Sequence, residues 1–434
     1  MGPLRGTAGR RCAIFCAAVV ISGMMIEEAG RFGLAWYWGR SGDNSQQIRG
    51  AELIPGDADA WHHLGQSLQY NLDEIDTSGA IRYELRAVKL DPRSADNWLD
   101  LADAYAANGD ASAARTAYEN ARHDYPISAK VSWQYGNFLL RQGQADEGLA
   151  EIHRAILTDP ALTLSAISSV WRFDHDVNLI LKNVLPPDTD AYWQAIGFFA
   201  SIHNADAGLA AWENLVAHLS SAPLELKRIF PFLDELIAQG RADDAENVWR
   251  EALTVSRWPQ EAPSGASAIW NGGFETRIAD GGLDWRIVQS PGAFVNEDSS
   301  VVHSGARSLR VDFTGGMNLD YSGVHELVPV RPGTTYEFQA FQRTESITTE
   351  SGMCFEIIDP QRPREGNFLT QALTGTNAWT AVRVTIHTLP ETRFLDVRLR
   401  RMPSRLFDNK LGGTVWVDDV TLVPATDKTE KPVR

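Results

Sequence analysis

The feature that most limits what this chain can fold into is a repeat. Pro92, Pro126 and Pro160 stand thirty-four residues apart, as do Ala87, Ala121 and Ala155, and Gly109 and Gly143 keep the same spacing. A fixed period of this length marks one supersecondary unit used several times and stacked, because a single unit cannot bury its apolar face alone. Within the period, Trp98, Leu101, Ala102 and Tyr105, then Ala114, Tyr118 and Ala121, recur at three- and four-residue intervals, the spacing of one helix face. Gly109 separates the two runs and Pro126 follows the second. Proline has no N–H to donate and closes a helix. Each unit therefore reads as a helical hairpin, with the small residues Gly65, Ala102 and Gly136 where the two backbones approach.

The order Trp98, Leu101, Ala102, Tyr105, Gly109, Ala114, Tyr118, Ala121, Pro126 resembles the tetratricopeptide repeat. A copy before it starts at Trp61-His62-His63-Leu64-Gly65 and reaches Ala87 and Pro92 with about three residues inserted near 71–78; a third carries Gly136, Gly143, Ala155 and Pro160. The scheme is clearest over 58–160 and decays over 161–256, where Gly240, Ala245, Trp249 and Ala252 still fit the second half of a unit. Five or six hairpins are expected across 55–256. The resemblance implies a groove for a peptide or partner protein, with Asn97, Asp100, Asn137 and Arg141 on the first helices that line it; a solvated face inside a spacer is the other reading. His62-His63 and Asp174-His175-Asp176 read as capping or solvated residues rather than metal ligands, because no further ligand lies at helical spacing.

Ahead of the repeats, Arg5, Arg10 and Arg11 precede an uncharged run over 12–26, the basic-then-apolar order of a signal peptide or a signal anchor. Fifteen residues span roughly 22 Å as a helix, short of a ~30 Å hydrocarbon core, and Glu27, Glu28 and Arg31 follow before Leu34-Ala35-Trp36-Tyr37-Trp38. An uncleaved transmembrane anchor over 1–40, with a cytoplasmic basic stub, is favoured over cleavage after Gly33-Leu34-Ala35. Either places the body outside the inner membrane, in the periplasm or beyond. The formal charge is −16, and six Arg against Glu27, Glu28 and Asp43 leave the first fifty residues at +3 and the remainder at −19. Phosphate backbones repel so acidic a body, so nucleic acid is excluded as a partner.

At 257–267, Pro, Gly and Ser interrupt the helical pattern. Residues 268–424 are rich in β-branched side chains with frequent Gly and Pro, and four stretches alternate: Leu309, Val311, Phe313; Tyr336, Phe338, Ala340; Val382, Val384, Ile386; Leu395, Val397, Leu399. These sets face a core, and the domain is an antiparallel β-sandwich. A polar, disordered tail over 425–434 closes the chain. Asn271-Gly272-Gly273-Phe274-Glu275, His303-Ser304-Gly305-Ala306-Arg307-Ser308-Leu309, Pro332-Gly333-Thr334-Thr335-Tyr336 and Gly413-Thr414-Val415-Trp416-Val417-Asp418-Asp419-Val420 together resemble the carbohydrate-binding modules of the galactose-binding-like jelly roll, in particular those of families four and nine.

That resemblance implies a sugar face. With the inward sets assigned, Glu337, Gln339, Phe341 and Arg343 are expected on one sheet beside Asp396, Arg398 and Arg400. Phe341, Arg343 and Arg398, with loop residues Trp285, Tyr321 and Trp379, are the expected contacts of an oligosaccharide, and an acidic one suits the Arg residues. The competing reading puts Trp285 and Trp379 in the core and the Arg residues on a solvated face. No cofactor is required. Related modules often hold a structural calcium, for which Glu275, Asp298 and Asp419 stand at suitable positions, against turn hydrogen bonding or salt bridges for the same carboxylates.

Catalysis has little to stand on. Glu337 and Glu356 would serve a hydrolase only as outward neighbours across one groove, and no G-x-S-x-G, H-E-x-x-H, P-loop or dinucleotide fingerprint occurs. Cys12, Cys16 and Cys354 cannot build a disulfide framework, and Cys354 reads as a small buried hydrophobe. The expectation is a membrane-anchored adaptor that binds protein through its repeats and polysaccharide through its jelly roll, in exopolysaccharide or cell-envelope glycan assembly. The alternatives are a purely structural interaction scaffold and a glycosidase accessory.

Overall fold

The computed structural model describes residues 5–70, 75–219, 222–259 and 267–425. Much of the expected interdomain linker, the centre of the insertion near 71–78 and nearly all of the expected tail lie outside these residues. The chain is helical in its N-terminal half, followed by two antiparallel sheets packed as a β-sandwich. Met1–Gln194 and Ala195–Arg434 form two compact units.

The first unit opens with α1 (Arg5–Gly39) and α2 (Asn44–Leu53). The helix passes from the uncharged run at 12–26 on through Glu27, Glu28 and Arg31. Arg31 pairs with Glu28 at 3.1 Å and donates to the Leu53 carbonyl at 2.7 Å. Hairpins follow: α3 (Ala58–Tyr70) with α4 (Thr77–Leu90), α5 (Ala95–Ala107) with α6 (Ala111–Asp124), and α7 (Ala129–Arg141) with α8 (Ala145–Thr158). Capping side chains recur with the period. Ser94 and Ser128 accept from the N–H three residues on at the start of first helices, and Asp76 and Asp110 do so at the start of second helices. Gly109 and Gly143 turn between helices with φ of 82° and 74°, a conformation that penalises a Cβ. The indole N–H groups of Trp61 and Trp98 bond the carbonyls of Pro55 and Pro92, six residues earlier in both cases.

Beyond Pro160 the helices are less regular. α9 (Thr163–Phe173) is followed by a π-helical turn at Leu179–Val184 instead of a full second helix. α10 (Thr189–Ser201) spans the boundary between the units in sequence and is followed by α11 (Ala205–Ala217), with His203, φ 57°, in the turn between them.

The second unit continues with α12 (Phe230–Ala238) and α13 (Ala242–Val255), joined at Gly240, φ 69°. These helices pack on the loop that leads into the sandwich. Arg286 pairs with Asp234 at 2.6 Å, Trp249 meets Trp270 edge to face at 6.3 Å, and a Cβ at Gly281 or Gly282 would overlap Phe230 or Trp249. The sandwich has the order β1-β4-β9-β6-β7 in one sheet and β2-β3-β10-β5-β8 in the other. The strands are β1 (Arg286–Ile287), β2 (Ala293–Asp298), β3 (Ser308–Thr314), β4 (Tyr321–Pro329), β5 (Thr335–Ile347), β6 (Cys354–Ile358), β7 (Asn367–Leu369), β8 (Gly375–His387), β9 (Phe394–Arg401) and β10 (Gly412–Pro424). All four alternating sets supply the shared core, with Val384 at its margin. Cys354 is buried in β6, and burial pushes its thiol up to about 11.

Candidate functional site

The sandwich separates residues that the alternation pattern puts together. Phe341 and Arg343 are on β5 and Arg398 is on β9, which belong to different sheets, so their outward side chains lie on opposite outer faces. The expected combination of Arg343 with Arg398 is not made. Trp285 and Tyr321 are corrections of a different kind. Trp285 is fully buried against Phe274, and Tyr321 is buried edge to face with Phe313, so neither reaches a ligand. Glu337 and Glu356 also fall on opposite sheets, and the carboxylate pair of a hydrolase is not assembled there.

The outer face of the β2-β3-β10-β5-β8 sheet carries the other expected residues in a built arrangement. Register places Trp416 on β10 opposite Arg310 of β3 and Arg343 of β5. Both guanidinium groups lie over its ring, 5.5 and 5.6 Å from the centroid, and its indole N–H donates to Asp298 at 2.9 Å. Arg310 also pairs with Asp312, whereas Arg343 has no carboxylate partner among the described residues. One row away, Phe341 stands opposite Asp418. The His303 imidazole stacks on the Phe341 ring at 3.6 Å, and Trp379 of β8 meets His303 edge-on at 5.6 Å. Phe294 of β2, 58% exposed, also points outward from this sheet, at the register of Asp312 and three strands from Phe341.

The loop that delivers His303 is held by side chains of the sequence signatures quoted above. Buried Asp418 accepts the His303 and Ser304 N–H groups at 2.8 and 3.2 Å; Asp419 binds the His303 Nδ1 at 2.6 Å and the Ser304 hydroxyl at 2.9 Å. Glu275 accepts the Ala306 and Arg307 N–H groups at 2.8 and 3.2 Å, and a Cβ at Gly305 would overlap its carboxylate. Asp298 accepts from Ser300 and Trp416, and the Ser300 hydroxyl in particular holds its carboxyl down at about 2. Glu275, Asp298 and Asp419 thus accept protein donors in a clasp. Among the described residues their ligand atoms are not grouped within 4.8 Å of one another.

On the opposite outer face Arg398 belongs to a paired network. It contacts Glu356 at 2.7 Å, Glu356 also accepts from Asn367 at 2.9 Å and forms an ion pair with Arg400 at 3.2 Å, and Asp396 pairs with His325 at 3.1 Å. Arg398, Asp396 and His325 border a polar cavity of about 330 Å³ with Asp320, Ser290 and Gln289.

In the first unit the expected groove residues divide. Asn97 is buried, and its side-chain amide donates to the Asp91 carbonyl at 3.5 Å. Asp100 accepts from Gln66 of α3 at 2.6 Å, and Asn137 accepts from Ser169 of α9 at 2.6 Å, so both tie successive first helices together. Arg141 is exposed.

The chain is similar to tetratricopeptide-repeat proteins and to carbohydrate-binding modules. A structure titled as a tetratricopeptide-repeat protein with an unusual peptide-binding site, YrrB, is 13% identical, over 49% of this chain and 92% of its own, with a TM-score of 0.25. A family-four carbohydrate-binding module is 17% identical over 36% and 99%, TM-score 0.27. The enzymatically active domain of a bacteriophage tailspike protein is 11% identical over 37% of this chain, TM-score 0.27, and the matched part spans 22% of that chain's length. No protein-family model matches the chain, and no curated protein does. At this identity the likeness concerns fold, and the assignment of fold rests on the hairpins and strand order described above.

His303, Trp416, Arg310 and Phe294 were not among the expected site residues. Trp416 was readable: Val415 and Val417 belong to the core, and strand alternation turns the residue between them outward.

Proposed function

We propose that this chain is a non-catalytic, membrane-tethered adaptor that binds an acidic polysaccharide on the outer face of the β2-β3-β10-β5-β8 sheet and a protein partner through its helical repeats. The observation that carries this reading is the surface made by Phe341, His303 and Trp379 beside Arg343. Flat rings supply apolar area at low entropic cost for the apolar face of a sugar, and a guanidinium without a carboxylate partner offers a fork for a uronate. The likeness to modules whose names state carbohydrate binding supports it. A purely structural scaffold would need this face covered. Within Ala195–Arg434, α12 and α13 meet residues 281–286 instead, and Phe294 stays exposed.

The anchor is part of the proposal. Residues 9–39 form a helix with mean hydropathy 1.8 in its most apolar window, and that window is unburied. Arg10 and Arg11 at its start favour retention of that end in the cytoplasm, leaving the body in the periplasm, where envelope or exported glycans are assembled.

Affinity electrophoresis and a glycan panel test the binding reading on the full chain in detergent. Retention by uronate-bearing polysaccharide is expected. F341A and W379A should each weaken it about tenfold or more, and R343A should weaken acidic but not neutral glycans by roughly ten- to hundredfold, the range of a charged hydrogen bond. R398A should change nothing. A folded chain retained by no glycan, or binding lost in R398A and kept in R343A, overturns the assignment.

A further inference from the structure

The repeat has one internal violation, and it is buried. Counting back three residues from Ala87, Ala121 and Ala155 gives Glu84, Tyr118 and Ile152, and counting back three from Gly65, Ala102 and Gly136 gives His62, Leu99 and Trp133. Equivalent positions that are apolar in the second and third hairpins are thus a carboxylate and an imidazole in the first. Glu84 is as buried as Tyr118 and Ile152, all three showing no exposure. Its Oε2 lies 2.9 Å from His62 Nδ1, its Oε1 has no hydrogen-bond partner, and on the far side of the ring His62 Nε2 lies 3.3 Å from Asp100 Oδ2. The sequence alone offered no ligand at helical spacing from His62. The fold brings two from other helices, α4 and α5.

We propose that His62, Glu84 and Asp100 form a binding site for a divalent transition-metal ion of the zinc class. One ligand atom from each residue lies within 4.8 Å of those of the other two, close enough for side-chain rotation to bring them to bonding distance. One imidazole with two carboxylates is a donor set for zinc or its neighbours in the first transition row, and a poor one for the all-oxygen ions. Two carboxylates neutralise a dication, and the ion satisfies a buried oxygen that otherwise has no partner. Gln66, donating to Asp100 at 2.6 Å, is the outer group that would orient that carboxylate. Access is from Asp100, whose side chain remains 12% exposed, while Glu84 closes the inner end. A bound ion would join α3, α4 and α5, and so lock the first hairpin of the repeats to the second.

The test uses the full chain in detergent, stripped with chelator, titrated with Zn²⁺ by equilibrium dialysis and with Co²⁺ by visible absorption. One equivalent of each ion is expected, with a melting temperature that rises with zinc concentration. H62L/E84Y installs the apolar pair of the following hairpin; it should fold at least as stably as the stripped wild type and lose zinc affinity by ~100-fold or more, together with the zinc-dependent rise. E84Q, which keeps the shape and removes one ligand charge, and D100N should each lose about tenfold or more. These two decide the matter should the double variant fail to fold. No stoichiometric ion on the wild type overturns the site. So does a Co²⁺ spectrum and affinity unchanged in E84Q and D100N, which would place the ion on histidines elsewhere.

Discussion

The sandwich should be destabilised by raising the pH through neutrality, and two buried acids set the size of the effect. Asp284 receives the Trp285 and Ala279 N–H groups at 2.8 and 2.7 Å but is almost wholly withdrawn from water, and burial pushes its carboxyl up from 3.8 to about 7. Glu326, on β4, is wholly buried, takes one N–H from Trp270 at 2.8 Å, and is raised well above its ordinary range by burial, with Asp284 adding to the effect. A group whose folded pKa is raised binds its proton more tightly in the folded state. Its contribution is fully present below the unfolded pKa and is lost as pH climbs through the folded one. For Asp284 the interval is about three units, which at 1.36 kcal/mol per unit is ~4 kcal/mol lost between about pH 4 and pH 7. D284N removes that slope. At pH 4 the variant should be the less stable, because its amide turns an N–H toward a backbone donor, a cost of ~1–3 kcal/mol. By pH 8 the order should reverse. In thermal melts of Ala195–Arg434 within the full chain, the difference between variant and wild type should move by on the order of 10 °C across that range. A difference that stays constant from pH 4 to pH 8 would refute the argument that Asp284 is the titrating group.

Three further outcomes follow from packing and donor geometry. Arg401, with no exposure, donates to Asn318 Oδ1 at 2.7 Å and to the Asn409 and Ser351 carbonyls at 3.2 and 3.3 Å; R401K cannot reproduce the fork and should cost about 3 kcal/mol in urea unfolding, an unchanged midpoint being the contrary result. A Cβ at Gly208 of α11 would overlap the Phe232 ring of α12, so G208A should lose about 1–2 kcal/mol despite its better helix propensity, and a gain in melting temperature would show that the two helices yield. In a C12S/C16S background, Cys354 should resist thiol reagents at pH 8 until the chain unfolds, since it is buried with its thiol at about 11; labelling at the rate of a free thiol in the folded state would contradict its position in β6.

What the sequence makes legible follows from the kind of information each pattern holds. A thirty-four-residue period specifies local pairing, since each hairpin's partner is its chain neighbour, and α3 to α8 follow the expected hairpins. Period-two alternation specifies only which side of its own strand a residue takes. It assigned Leu309, Phe338, Val382 and Val397 inward, as found, but it holds nothing about which strands are neighbours. β5 pairs with β10 and β8, and β9 with β4 and β6, so Arg343 and Arg398, indistinguishable by pattern, end on opposite faces. Loop aromatics are worse placed still. Trp285 enters the core because the chain folds inward there, with Gly281 and Gly282 against Phe230 and Trp249, and only the tertiary contact explains it. The repeat, by contrast, allows a test that alternation cannot. Because equivalent positions are expected to be alike, an unlike residue is information, and a buried charge at an apolar position is the most costly kind of difference. Glu84 stands thirty-four residues before Tyr118 in the sequence itself. A carboxylate kept there against the apolar register implies a compensating partner, and His62 is the partner the fold supplies.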